Sequence, residues 1–102
     1  MMQHDLFTNP NRTLRAAYPL VVILQSRVVD GQTQVVAPLI AVSVAVPQAR
    51  LLPLVDHDGA SYAVAFGLIT HLPGRLLRHP VGSIARYRDD LSRALDCLFF
   101  GI

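Results

Sequence analysis

A chain of 102 residues and 11.2 kDa is the size of one domain. A soluble monomer of that size buries only about 60–65% of the surface its unfolded chain exposes. Yet 52% of the residues are hydrophobic and 16% are charged, with a mean hydropathy of +0.40, where a typical soluble domain is about a quarter charged. The longest apolar stretch, Val35–Val46, runs 12 residues and is interrupted by Pro38 and Ser43. A spanning helix needs roughly 18–20, which excludes a transmembrane reading. Met1–Asp5 lacks the basic segment and apolar run of a signal peptide, so none is expected. The apolar surplus therefore points to an oligomer interface.

The nine basic residues are all Arg, the seven acidic residues are all Asp, and the net charge is +2. That is too small a field to argue for nucleic-acid binding, and Arg without Lys is read as genome composition. One cysteine forbids an internal disulfide and fits a reducing cytoplasm.

In chain order, Leu6-Phe7 ends a short first strand, and a polar loop from Thr8 to Arg15 follows. Leu20–Gln25 (LVVILQ) and Val35–Val46 are β-branched and apolar, with Asp30-Gly31 between them as a hairpin signal. Leu51–Val55 and Tyr62–Phe66 are two further strands, separated by Asp58-Gly59. Prolines at 10, 19, 38, 47, 53, 73 and 80 keep residues 1–82 from forming helix. The pattern predicts an antiparallel meander of five strands. From Ile84 the period changes: apolar residues at 84, 87, 91, 94, 95, 98 and 99 share one helix face. Ser83 is the expected N-cap and Gly101 the expected stop, with Arg86/Asp90 and Asp89/Arg93 as pairs four apart. The order, a β-meander and then a C-terminal helix, gives an α+β or small-barrel plan.

Catalytic and metal chemistry finds little support. The four histidines (4, 57, 71, 79) and Cys97 form no HxxxH, CxxC or HExxH spacing, and Asp56-His57-Asp58 reads as a solvated turn. Cys97 lies near the apolar face of the helix and reads as a packing residue. No phosphate-cradling glycine motif occurs, and Asp89-Asp90 point about 100° apart on a helix. No cofactor and no metal are expected. Arg75, Arg78, Arg86 and Arg88 make a basic cluster that reads as a solvated loop.

The ending Cys97-Leu98-Phe99-Phe100-Gly101-Ile102 is more informative, because chain ends are ordinarily polar unless tied down. Phe99 continues the apolar face and is expected to pack. Phe100 falls off that stripe, and an aromatic presented in that way marks a protein-binding surface. Physics alone leaves a partner-binding tail and packing onto a dimer mate equally open.

Tyr18–Leu24 leading into Gln25-Ser26-Arg27-Val28-Val29-Asp30, then Val35–Leu39, Leu52–Val55, and the helix Asp89–Phe99 with its Phe-Gly-Ile ending, resemble the CcdB family. These are toxins of bacterial toxin–antitoxin modules. The order and spacing of the segments hold along nearly the whole chain. The resemblance implies an SH3-like antiparallel sheet with a long C-terminal helix, assembled as a homodimer. It implies a non-enzymatic poison that binds the DNA gyrase A subunit and traps its cleaved DNA complex. In the family, an aromatic residue, Gly and Ile from both protomers form a wedge near the dimer axis, and the aromatic stacks on an Arg of gyrase. Here the wedge corresponds to Phe100, Gly101 and Ile102, with Ser26, Val28 and Asp96 beside it. A partly disordered CcdA-like antitoxin would wrap the toxin, and the pair would repress their own promoter, touching DNA only through that complex. The implied location is the cytoplasm, away from membranes. Two departures stand out: Phe100 replaces Trp, and Asp96 replaces a neutral amide. Losing indole area and its N–H either costs on the order of 1–2 kcal/mol at such a hot spot or shifts the target. The rival readings are a MazF-like endoribonuclease toxin, drawing on Arg75, Arg78 and His79, and a non-toxic relative that only binds antitoxin.

Overall fold

The computed structural model describes residues 2–26, 32–42 and 52–101. Among these, seven strands form one antiparallel sheet: β1 (Asp5–Thr8), β2 (Leu20–Ile23), β3 (Thr33–Ala41), β4 (Leu54–His57), β5 (Ala60–Val64), β6 (Thr70–Pro73) and β7 (Gly82–Ser83). One α-helix, α1 (Arg88–Phe100), closes the chain. The sheet curls into a nearly closed SH3-like barrel, and the α+β class is as the sequence predicts.

Strand order departs from a simple meander. It runs β4-β5-β3-β2-β1-β7, with β6 also paired to β3. The long strand β3 accounts for this, because one of its edges serves two partners: residues 33–36 pair with β6 and residues 39–41 with β5. Pro38 sits at the handover between them, where its missing N–H costs no ladder bond on that edge. Its carbonyl still accepts the Ala65 N–H at 2.9 Å. The expected extension of this strand through residue 46, and the turn at Asp30-Gly31, lie outside the described residues.

The apolar run of β2 is uninterrupted because both of its faces are buried. Leu20, Val22 and Leu24 belong to the main core with Leu6, Leu39 and Phe66, which α1 covers with Leu91 and Ala94. Val21 and Ile23 face a second cluster with Phe7, Val36 and Leu77, flanked by Leu72. The excursion through residues 70–77 thus roofs one side of the sheet and α1 the other. At the β4–β5 turn, Asp58 and Gly59 take φ of 51° and 79°. This is the two-residue hairpin geometry that an Asp-Gly pair favours.

The helix begins a turn later than its periodicity predicts. Residues 85–87 form a single 3-10 turn, capped by the Ser83 hydroxyl, which accepts the Ala85 N–H at 3.2 Å. Ser83 therefore caps this lead-in turn, and α1 starts after Tyr87 without a side-chain cap. Gly101 ends it as expected, in the left-handed region at φ 72°, with its N–H bonded to the Cys97 carbonyl. Of the two expected charge pairs, neither forms four apart. Asp90 instead meets Arg93 at 3.0 Å, and Arg86 turns away from the helix.

Arg86 takes part in a seam that joins β4 to the β7 end of the sheet. Its guanidinium donates to the Asp56 carbonyl at 2.7 Å and lies 4.9 Å over the Tyr87 ring. The Tyr87 hydroxyl accepts the Asp56 N–H at 3.0 Å, and the Asp56 carboxylate accepts the Ser61 hydroxyl. The imidazole of His57 lies directly on Gly82, in the space a Cβ there would occupy. Side chains thus do at this edge what strand pairing does elsewhere. Gly82→Ala is expected to push the His57 ring out and destabilise by about 1 kcal/mol. Urea denaturation checks this: His57→Ala combined with Gly82→Ala should recover most of the loss.

Candidate functional site

The last two turns of α1 hold most of the candidate residues that the sequence singles out. The helix buries Leu91 and Ala94 against the sheet and half-buries Leu95 and Leu98, so the face from Ser92 and Arg93 through Asp96 is left to solvent. Phe100 is 73% exposed, as its position off the apolar stripe predicts. Phe99, expected to pack, is 67% exposed. Among the described residues, the sheet and the 3-10 turn at Phe66–Leu68 pack against α1 as far as Leu95, and the stripe runs on past them to Phe99. Leu68 on that turn, itself in contact with α1, is also about half exposed.

Asp96 stands one turn before Phe100 and is exposed, and Gly101 follows with its backbone turned by the left-handed cap. The helix therefore brings Asp96, Phe100 and Gly101 to one end. Ser26 lies half-buried just after β2, two residues past Leu24, which shares the main core with Leu91 and Ala94. Val28 and Ile102 lie outside the described residues. Two adjacent aromatic faces and one carboxylate at a helix end can stack on a partner and can be steered by its cations.

The sequence model of the CcdB protein family fits residues 3–101. The chain belongs to the CcdB family. Membership places this CcdB protein among the toxins of toxin–antitoxin modules. A comparison with curated proteins gives no match.

Other candidate residues of this CcdB protein have structural neighbours. Arg75 and Arg78 are exposed, and the Arg78 Nε donates to the Arg75 carbonyl at 3.3 Å. Arg86 is committed to Asp56 and Tyr87, which splits the basic cluster expected from sequence. Cys97 is a half-buried free thiol. No group of three or more His, Cys, Asp or Glu that could hold a metal occurs among the described residues. Nor is any described helix long and apolar enough to cross a membrane. The Asp56–Arg86–Tyr87 seam was invisible to sequence reasoning, because it joins residues 30 and 31 positions apart with no local pattern.

Proposed function

We propose that this CcdB protein is a non-enzymatic toxin that acts as a homodimer on the DNA gyrase A subunit and traps the cleaved gyrase–DNA complex. The observation that carries the reading is the pair of exposed phenyl rings at the end of α1, followed by a left-handed glycine. Phe100, Gly101 and Ile102 would form the wedge, Ser26 and Val28 its flank, and Asp96 the charge beside it. A cognate CcdA-like antitoxin would neutralise the toxin in the cytoplasm and join it in repressing their promoter. The dimer would place two tails side by side and cover part of the apolar surplus noted in the composition.

Induced expression in a bacterial host tests this reading. The expected result is growth arrest with gyrase-linked DNA breaks and intact mRNA. Cleaved mRNA without gyrase-linked breaks would favour the ribonuclease reading instead, and robust growth would favour the non-toxic antitoxin-binding relative. Removal of Gly101-Ile102 is expected to abolish toxicity; arrest that persists in the truncated protein would sink the wedge.

A further inference from the structure

The sheet ends on β4 at one side and on β7 at the other. An edge strand presents backbone N–H and C=O groups with which a further strand can pair. On β4 the register fixes which groups those are. His57 pairs with Ala60 around the two-residue turn, and the Val64 N–H donates to the Pro53 carbonyl at 3.0 Å. An antiparallel ladder alternates, so residues 53, 55 and 57 bond to β5, while Leu54 and Asp56 turn their backbone groups outward.

The outward groups of Asp56 are taken by two side chains and not by a strand. The Tyr87 hydroxyl accepts its N–H at 3.0 Å, and the Arg86 guanidinium donates to its carbonyl at 2.7 Å. One acceptor and one donor thus meet one residue, as a paired residue on a neighbouring strand would. An Arg beside an Asp ordinarily bonds the carboxylate. Here that carboxylate accepts the Ser61 hydroxyl at 2.7 Å across the β4–β5 pair, and the guanidinium takes the backbone. The two consecutive residues reach one place because Ala85–Tyr87 is a 3-10 turn and the guanidinium folds over the Tyr87 ring. Arg86 and Asp56 are both exposed, so the closure lies at the surface.

We propose that Arg86 and Tyr87 hold shut a strand-addition site on the edge of β4, and that the occupant of the opened site is the β4 edge of a second copy of this chain. The register makes this edge self-complementary. In an antiparallel pairing about a two-fold axis at Val55, Leu54 of each copy lies opposite Asp56 of the other. Each such pair exchanges two backbone hydrogen bonds, using the outward groups alone and leaving the ladder to β5 intact. Leu54–His57 contains no proline to block the pairing. With Arg86 and Tyr87 in place, the groups at Asp56 are filled and the copies do not pair there.

The test uses the whole chain and takes the wild-type mass as its baseline, so it depends neither on gyrase nor on the proposed homodimer. Tyr87→Phe keeps the ring and removes the acceptor, and in dilute protein the Asp56 amide should exchange about tenfold faster. Arg86→Ala combined with Tyr87→Phe should double the mass in analytical ultracentrifugation as concentration rises, and the Leu54 and Asp56 amides should become protected in step. Each single variant should show the same shift at higher concentration. Leu54→Pro, added to the double variant, removes an outward N–H without costing a bond to β5 and should restore the wild-type mass. An Asp56 amide that exchanges no faster in Tyr87→Phe overturns the proposal, and that variant loses only a hydroxyl. So does a mass equal to wild type at every concentration in the single and double variants, or a larger mass that survives Leu54→Pro.

Discussion

Truncating Phe66 to alanine is expected to lower the unfolding free energy by about 3–5 kcal/mol. Its ring is fully buried and is the largest wholly enclosed side chain in the described structure. It projects from the 3-10 turn at Phe66–Leu68, between β5 and β6, into the cluster formed by Leu6, Leu39, Val64, Leu91 and Ala94. That turn touches both β3 and α1, so the cavity would open between the sheet and its covering helix. Neither wall can collapse freely: β3 is held by strands on both edges, and α1 is tied at its root. A domain of this size has only about 5–15 kcal/mol of net stability, so the loss is a large share of the whole. Urea denaturation monitored by circular dichroism measures it. Phe99→Ala serves as the internal contrast and should change stability by no more than about 0.5 kcal/mol, because its ring is mostly in solvent. A Phe66→Ala loss below about 1 kcal/mol is incompatible with a ring packed on all sides.

The contrast between Phe66 and Phe99 also shows what the sequence could tell. Both lie in apolar surroundings, and Phe99 has the better periodic credentials, yet it is the exposed one. Periodicity reports which residues share a helix face. It does not report how far the sheet beneath that face extends. The same distinction runs through the fold. β2 is legible because a strand buried on both faces must be apolar at every position, and the Asp58-Gly59 turn is legible because few residue pairs accept two positive φ values. β7 is two residues long and β6 ends on a proline, so neither carries a pattern long enough to read. Their places are set by partners far along the chain: Leu6 for Gly82, Val35 for His71. The late start of α1 has a local cause, since the Ser83 hydroxyl satisfies the 3-10 turn before the helix. Within the candidate site, Phe100 was legible because it breaks the stripe. Buried His4 lies outside that site and carries no signal in sequence; its backbone is bonded to Ile23 and Ile84, which the chain brings to it from 19 and 80 residues away.

Replacing Phe100 with alanine is expected to abolish toxicity while leaving the fold intact. The ring is 73% exposed and lies beyond the last buried position of α1, so its removal should shift stability by no more than about 0.5 kcal/mol. Its contribution to binding is another matter. An aromatic hot spot at the centre of an interface is worth about 2–4 kcal/mol on truncation, and the proposed dimer presents two such rings. Losing both would weaken gyrase binding by a factor on the order of a thousand or more, since each 1.4 kcal/mol is tenfold. Phe100→Trp makes the complementary test. It restores the larger ring and indole N–H found at this position in the best-known relatives of the family, and binding is expected to tighten about tenfold, the equivalent of roughly 1–2 kcal/mol. Asp96→Asn separates charge from area, because it leaves the aromatic surface unchanged and removes the carboxylate one turn away. If that carboxylate is steered by cations on the partner, its loss slows association and reduces the salt dependence, with little effect on dissociation. Surface plasmon resonance against purified gyrase A subunit, at two salt concentrations, reads both quantities in one experiment. Unchanged gyrase affinity in Phe100→Ala would remove the helix end from the gyrase contact altogether, whatever the toxicity of the wild-type protein.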